Sequence, residues 1–290
     1  MRVAILSDVH GNLVALEAVL ADLQRQAPDL VVVNGDMVNR GPDNVAVLER
    51  LHDLGAPLIL GNHDDLVRMW VDRDPALPRE WFSDPFWRAT AWTAGQLQDA
   101  GLIDSLRELP QSYRLELPDA PSVLIVHGSP RHYRESLDRH LTDQAIEELG
   151  EEFGAPILVG SHTHIPLDRR HRGYWILNSG AVGVSFNGDP RAHYLLIDLR
   201  DWSWTPTFRR VEYDRGRALA RFEESGFLEN GGLSARIFRE EVKIARSLLT
   251  PYMNWAQACG LPTNEDSFRL FRAANPHRFL PLTAPYEGTR

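Results

Sequence analysis

The sequence has few of the features that mark disulfide-rich, membrane-spanning or secreted proteins. Its single cysteine, Cys259, cannot form an internal disulfide and offers no thiolate metal site. No apolar run approaches the ~20 residues of a membrane helix. The first apolar stretch is too short for a signal peptide, because Asp8 follows it closely. We therefore expect a cytoplasmic protein without a membrane partner.

Acidic residues outnumber basic ones, and lysine is almost absent. The 290-residue chain has a net charge of −9, and Lys243 is its only lysine. This balance argues against a dedicated nucleic-acid-binding surface, which is usually basic. It does not exclude a small phosphate-bearing substrate, because a metal site supplies its own positive charge. The preference for arginine fits either phosphate recognition or a compositional bias of the genome.

Polar segments follow five short apolar runs along the chain. The runs are residues 2–6, 30–33, 57–60, 123–126 and 157–159. Asp8 and His10 follow the first run, Asp36 the second, and Asn62, His63 and Asp64 the third. His127 follows the fourth run, and His162 and His164 follow the fifth. Short apolar runs of this kind are typical of buried strands. Since α/β proteins build their sites at the carboxyl ends of strands, we expect these side chains to meet.

The residue types in these segments indicate a metal site. Asp8 and His10 are two residues apart, so on an extended segment they would face the same way, and His162 and His164 repeat this spacing. Carboxylates with imidazoles favour Mn, Fe, Zn or Co over Mg and Ca. Each residue alone could be a helix cap or a surface group. Their occurrence together at strand ends favours metal binding.

The chain divides into two parts by its pattern. Strand and helix signals alternate through the first half, which predicts an α/β catalytic domain over residues 1–213, followed by a helical C-terminal extension over 214–290. Residues 65–110 form an aromatic-rich helical insertion, which could be a cap that stacks on a nucleobase or simply part of the core. The extension could cover the site or form the surface of a homo-oligomer.

The ordered set of motifs resembles the calcineurin-like metallophosphoesterase superfamily. The motifs are Asp8-Val9-His10, Gly35-Asp36, Gly61-Asn62-His63-Asp64, His127 and Gly160-Ser161-His162-Thr163-His164, and residues 126–131 and 178–183 resemble its bacterial phosphodiesterase branch. The resemblance runs from Met1 to about Tyr213 and implies a four-layer α-β-β-α sandwich of two mixed β-sheets flanked by helices.

The resemblance also implies a dinuclear metal site. Asp8, His10, Asp36 and His164 would hold the first ion, and Asp36, Asn62, His127 and His162 the second, with Asp36 bridging. We expect two divalent transition-metal ions, Mn²⁺ first among them, with Fe, Zn or Co as alternatives. The expected reaction is attack on phosphorus by a hydroxide that bridges the two ions.

Four further residues are candidates for catalysis or substrate binding. His63 could protonate the leaving oxygen or only order its loop, and Asp64 could orient that imidazole or cap the following helix. Asn12 could direct its amide at a phosphate or cap its helix. Arg40 could grip phosphate or form a surface ion pair, and Asn39 stands where related protein phosphatases have an aspartate.

The leading functional prediction is a metal-dependent phosphodiesterase for small phosphodiesters, possible substrates being cyclic nucleotides. The alternatives are a phosphomonoesterase, a protein phosphatase or a dinucleoside-polyphosphate hydrolase, which Arg40 would favour. A non-catalytic metal-binding scaffold is the alternative from a different class, and it would require that the site has decayed. The expected partner is a small phosphate ester, a nucleotide among the candidates.

Overall fold

A computed structural model describes residues 1–282 and 284–286 of the chain. The strands are β1 (Arg2–Leu6), β2 (Leu30–Asn34), β3 (Leu58–Ile59), β4 (Ser112–Leu115), β5 (Val123–Val126), β6 (Ile157–Gly160), β7 (Leu167–His171), β8 (Tyr174–Asn178), β9 (Ala192–Arg200) and β10 (Ser203–Val211). The helices are α1 (Leu13–Gln26), α2 (Asn44–Leu54), α3 (Asn62–Asp72), α4 (Arg88–Asp99), α5 (Ile103–Arg107), α6 (Asp143–Glu152), α7 (Arg215–Glu224), α8 (Phe227–Ile244), α9 (Leu249–Ala258) and α10 (Glu265–Ala274).

The strands form two mixed sheets of five strands each. The first has the order β10-β9-β1-β2-β3 and the second the order β4-β5-β6-β8-β7. In the first sheet β1, β2 and β3 run parallel, and in the second β5, β6 and β8 do. The strands that precede the polar segments are therefore the parallel ones, so each set of carboxyl ends lies at one edge of its sheet.

The alternation of side chains along the strands builds the layers. Val3 and Ile5 of β1 point between the two sheets, where they share an apolar cluster with Val159 of β6. Ala4 and Leu6 point the other way, into the cluster formed with α1 and α2. A third cluster joins the outer face of the second sheet to α6. These contacts confirm the four-layer α-β-β-α sandwich.

The C-terminal extension is helical and packs against the sandwich rather than standing apart. Phe222 of α7 and Phe227 of α8 are buried in one cluster with Ala89 of α4 and with Val184. The sequence pattern predicts one helix over residues 235–249, whereas in the structure α8 ends at Ile244 and α9 begins at Leu249. The left-handed backbone of Ala245, with a φ of 53°, ends α8, and α9 begins after a short break.

The aromatic side chains of the insertion mainly contact one another. The rings of Trp81 and Trp87 stack with centroids 3.8 Å apart, and Trp70 packs on Phe82 at 4.7 Å. These residues adjoin the apolar cluster beneath α3 and α4. Among the described residues, no helix is both long and apolar enough to span a membrane.

Candidate dinuclear metal site

The ligand-bearing segments turn sharply where their strands end. Asp8, His10, Asp36, His162 and His164 all have positive φ angles, between 49° and 62°. Such backbone costs a non-glycine residue roughly 1–3 kcal/mol and persists where the surrounding structure enforces it. The sequence predicted that Asp8 and His10 face the same way on an extended segment. The structure corrects this, because left-handed turns and not strand alternation aim these side chains.

Backbone hydrogen bonds hold two of these turns together. The N–H of Asp8 donates to the carbonyl of Gly35 at 3.0 Å, and that of His10 donates to the carbonyl of Asp36 at 3.0 Å. Gly61 lies against the same turn, and a Cβ at this position would approach the backbone nitrogen of Asp36 to 2.1 Å. A glycine is therefore required where the third ligand segment meets the second.

Four side chains form a first cluster with the geometry of a metal site. Ligand atoms of Asp8, His10, Asp36 and His164 all lie within 4.8 Å of one another, and all four residues are buried. Both carboxylate oxygens of Asp8 are buried without a hydrogen-bond partner in the described residues. The Nε2 atoms of His10 and His164 lie 3.2 Å apart. Orphaned buried carboxylate oxygens are costly unless a cation binds them.

A second cluster shares Asp36 with the first. Ligand atoms of Asp36, His127 and His162 also lie within 4.8 Å of one another. The Oδ2 atom of Asp36 is 3.7 Å from Nε2 of His10 and 3.3 Å from Nε2 of His127, so it lies between the clusters. Asn62 brings its Oδ1 atom to 3.1 Å from Nε2 of His127. All seven predicted metal ligands therefore meet in one place.

The electrostatics of the clusters suit neutral imidazole ligands, with one exception. Burial lowers the pKa of His10 well below its usual value and that of His162 to about 4. Burial also opposes the charge of His127, but the charge of Asp36 and its hydrogen bond outweigh this and raise the His127 pKa to about 10. His127 and Asp36 thus form an ion pair when no cation separates them.

His63 lies beside the clusters at the start of α3. Its ring centroid is 5.0 Å from that of His10, and its backbone N–H donates to Oδ1 of Asp36 at 2.7 Å. Burial lowers the pKa of His63 to about 3. The Asn39 amide Nδ2 donates to its Nδ1 at 3.2 Å, so the neutral ring carries its proton on Nε2.

Asp64 makes the contacts of a helix cap. Its carboxylate accepts the backbone N–H groups of Asp36 at 2.8 Å, Met37 at 2.9 Å, Val38 at 3.1 Å and Gly61 at 3.0 Å. Among the described residues, no hydrogen bond joins it to the His63 ring. Of the two roles predicted for Asp64, these contacts fit the cap, and they also hold the turn that carries the Asp36 carboxylate.

The side-chain amide of Asn12 also makes structural hydrogen bonds. Its Oδ1 atom accepts the N–H of Ala15 at 3.1 Å, which caps α1, and its Nδ2 donates to the carbonyl of Gly183 at 2.8 Å. The side chain is therefore engaged on both ends while lying next to the first cluster.

Arg40 forms a buried ion pair rather than a surface one. Its guanidinium pairs with Glu241 of α8, and the two side chains are 8% and 0% exposed. The guanidinium carbon lies 5.4 Å from the ring centroid of Phe186 and 4.9 Å from that of Phe238. Sequence reasoning missed Glu241, because no motif surrounds it and it is 201 residues from its partner.

A cleft of about 770 Å³ opens onto the clusters. One part of its lining comes from the predicted site, including Asp36, Asn62, His63 and His162, and a large part comes from the C-terminal extension. The stacked aromatic residues Trp81 and Trp87 do not line it. The volume suits a small-molecule ligand.

The donor set fits two divalent ions. Carboxylate oxygens, imidazole nitrogens and one amide oxygen converge in two adjoining clusters, and Asp36 belongs to both. This mixture of nitrogen and oxygen donors is the one that first-row transition metals prefer.

Comparisons with known proteins show which family the chain resembles. Residues 1–166 match the calcineurin-like phosphoesterase family. A metallophosphoesterase structure from Sphaerobacter thermophilus is 34% identical, with a TM-score of 0.63 over 82% of this chain and 100% of that one. An uncharacterised protein of Methanocaldococcus jannaschii is 26% identical over 81% of this chain and 97% of its own length.

A third match is shorter. A protein of Pectobacterium carotovorum named symmetrical bis(5'-nucleosyl)-tetraphosphatase is 36% identical over 88 residues, which are 29% of this chain and 31% of that protein. The family match spans more than half of the chain and includes both ligand clusters. The chain belongs to the calcineurin-like phosphoesterase family.

Proposed function

We propose that the protein is a dinuclear metal-dependent phosphodiesterase that hydrolyses small phosphodiesters. The observation that carries this proposal is the pair of buried ligand clusters that share the Asp36 carboxylate beside His63. Two bound transition-metal ions, Mn²⁺ first among the candidates, would supply an activated water and neutralise phosphoryl oxygens. The chain's own residues would bind these ions and stabilise the leaving oxygen.

His63 is the residue proposed to act on the leaving oxygen. Since Asn39 donates to Nδ1, the proton on Nε2 is available to a substrate in the cleft. With its pKa lowered to about 3, the ring acts as a neutral hydrogen-bond donor near pH 7. Asparagine at position 39 suits this neutral form, because it offers a hydrogen bond without an ionic partner.

The ion pair of Arg40 favours a diester over a monoester. A phosphomonoester carries more negative charge near neutral pH than a diester, so its site benefits from an additional unpaired cation. The arginine predicted to grip phosphate beside the ligand clusters is Arg40, and Glu241 neutralises it. The pairing also weakens the case for a protein phosphatase, for which a free arginine clamp was the main argument.

Dinucleoside-polyphosphate hydrolysis is the second candidate. It is supported by the name of the Pectobacterium carotovorum relative, although that similarity covers 29% of this chain. The cleft of about 770 Å³ also exceeds what a single phosphate ester requires. In such a substrate the scissile phosphorus again bears two substituents, so the same site chemistry would serve.

Hydrolysis of paired chromogenic esters tests the proposal. Metal-free protein is supplied separately with Mn²⁺, Fe²⁺, Zn²⁺, Co²⁺ and Mg²⁺ and assayed on bis-p-nitrophenyl phosphate and on p-nitrophenyl phosphate. We expect diester turnover that depends on a transition metal. Turnover of the monoester alone would move the function to a phosphatase, and no turnover of any phosphate ester, natural dinucleotides included, would favour the scaffold.

A further inference from the structure

Two arginines of the C-terminal extension lie in the cleft outside both ligand clusters. Arg246 follows the end of α8, and Arg278 lies in the short 3₁₀ helix Pro276–Phe279. Both are half-buried, and both line the same cleft as Asp36 and His63. A ligand bound at the clusters therefore shares its cavity with these two guanidinium groups.

The local structure holds Arg246 close to the segment that carries Arg278. Its Nη1 group donates to the carbonyl oxygen of His277 at 2.7 Å and to that of Leu280 at 2.9 Å. Within residues 1–282 and 284–286, no hydrogen bond of Arg246 uses Nε or Nη2. The guanidinium is thus fixed at one end, and three N–H donors, one on Nε and two on Nη2, are left for a ligand.

The two cations lie close together without an acidic counterpart. Burial, together with the charge of Arg278, lowers the pKa of Arg246. No carboxylate of the described residues lies within 4.0 Å of either guanidinium. Of the acidic side chains in the cleft, Asp36 belongs to the metal clusters, and Asp138 accepts the N–H of His140 at 2.7 Å.

This pairing differs from that of Arg40 in the same cleft. Arg40 is buried against a carboxylate, whereas Arg246 and Arg278 repel each other across a partly desolvated space. Like charges in such a place are unfavourable until an anion binds between them. Guanidinium groups bind phosphoryl oxygens in a bidentate way, and charge-assisted bonds of this kind are among the stronger ones in proteins.

We propose that Arg246 and Arg278 form an anion subsite that binds a phosphoryl group of the substrate other than the one hydrolysed. This inference rests on the proposed function and narrows its substrate class to phosphodiesters that carry at least one further phosphoryl group. The C-terminal extension then selects the substrate, while the sandwich provides the metal ligands.

Binding of two inorganic anions to the full, metal-loaded chain tests the subsite without turnover. Inorganic phosphate has a single phosphoryl group, whereas tripolyphosphate bound at the metal centre would bring further phosphoryl groups into the cleft that Arg246 and Arg278 line. By titration calorimetry, Arg278→Gln should weaken tripolyphosphate binding about tenfold, as expected for losing one hydrogen bond to a charged group. Its affinity for phosphate should change less than about twofold. Arg278→Lys, which keeps the charge, should recover part of the loss.

Arg246→Gln serves as a second variant, and Arg269→Gln as the matched control. Arg246 also ties down residues 277–280, so its variant is interpreted only if its thermal unfolding midpoint is unchanged. Arg269 is exposed on α10, pairs with Asp266 at 3.0 Å and does not line the cleft. Equal tripolyphosphate affinity in wild type, Arg278→Gln and Arg269→Gln would overturn the subsite.

The outcome for the proposed function is read separately. If Arg278→Gln weakens tripolyphosphate binding but the wild type hydrolyses no diester, the subsite stands and the phosphodiesterase proposal fails. If the wild type hydrolyses bis-p-nitrophenyl phosphate and Arg278→Gln binds tripolyphosphate normally, the activity stands and the subsite is overturned.

Discussion

At the scale of single residues, several side chains of the site have an energetically unfavourable environment or backbone conformation. Asp8 has two buried carboxylate oxygens without a hydrogen-bond partner among the described residues, and five of the candidate metal ligands have left-handed backbone. His63 lies beside them as a neutral imidazole. These costs are understandable if cations bind the cluster, because metal coordination satisfies the orphaned oxygens and uses the imposed geometry.

The role proposed for His63 predicts a separation of metal binding from catalysis. His63→Ala should keep both ions and lower kcat on the diester by roughly 10²–10⁴-fold, because the leaving oxygen then loses the Nε2–H that would stabilise it. Metal content by mass spectrometry and steady-state kinetics measure the two effects. Loss of metal from the variant would show that His63 is a ligand instead.

The ion pair of His127 with Asp36 predicts that metal binding releases a proton. The raised pKa, about 10, keeps His127 charged at pH 7, and a metal ligand must be neutral. Metal affinity should therefore rise with pH through the neutral range, with about one proton released from His127 per chain. Calorimetry in buffers of different ionisation enthalpy measures this number.

A variant isolates the contribution of His127 from that of bound water. His127→Asn, which cannot carry the proton, should release about one proton fewer than the wild type at pH 7. An unchanged number would contradict the assignment of the raised pKa to His127.

At the scale of elements, α8 connects the extension to the metal site through one carboxylate. Glu241 accepts the N–H groups of Leu248 at 2.7 Å and Leu249 at 2.9 Å, next to the start of α9, and it pairs with Arg40. One side chain thus fixes the connection between two helices and the position of a cation beside the clusters.

Breaking this buried pair should cost stability that removing both partners partly restores. Glu241→Gln keeps an acceptor for the two N–H groups but leaves the Arg40 charge unpaired, which should lower the free energy of unfolding by about 3–5 kcal/mol. The double variant Arg40→Met with Glu241→Met should recover part of this loss. Urea unfolding of the metal-free proteins measures both.

The exposed pair Arg50–Glu17 provides the comparison. Its side chains are 36% and 48% exposed, so Glu17→Gln should lower stability by less than about 1 kcal/mol. If Glu241→Gln and Glu17→Gln lowered the free energy of unfolding equally, the buried pair would contribute no more to stability than the exposed one.

The helices and strands also show which structural features could be predicted from the sequence. Strand ends and metal ligands could be predicted, because each apolar run and each polar segment is local in the chain. The extent of α8 and the pairing of Arg40 with Glu241 could not, since a left-handed Ala245 ends the helix and 201 residues separate the partners. The directions of the Asp8 and His10 side chains are set by left-handed backbone turns, which their two-residue spacing does not predict.

At the scale of the whole molecule, the extension and the sandwich form one packed structure. Phe222 and Phe227 fill a cluster against α4, and the extension supplies much of the cleft wall. The predicted division at residue 213 therefore separates two parts of the sequence that depend on each other in the fold.

Truncation tests this dependence. A chain that ends at Tyr213 would expose the apolar surface around Ala89 and Val184, which are 1% and 5% exposed in the full protein. We expect it to aggregate or to bind a hydrophobic dye, as measured by size-exclusion chromatography and dye fluorescence. A monodisperse truncated protein with an unchanged unfolding midpoint would contradict the dependence.

The most direct test of the dinuclear site is a metal titration of activity. Metal-free protein is titrated with Mn²⁺ while hydrolysis of bis-p-nitrophenyl phosphate is followed, and Asp36→Asn is titrated alongside. Since both clusters share Asp36, we expect wild-type activity to level off at about two ions per chain and the variant to lose both ions and its activity. A plateau at one ion, or a variant that keeps full activity, would contradict the shared site.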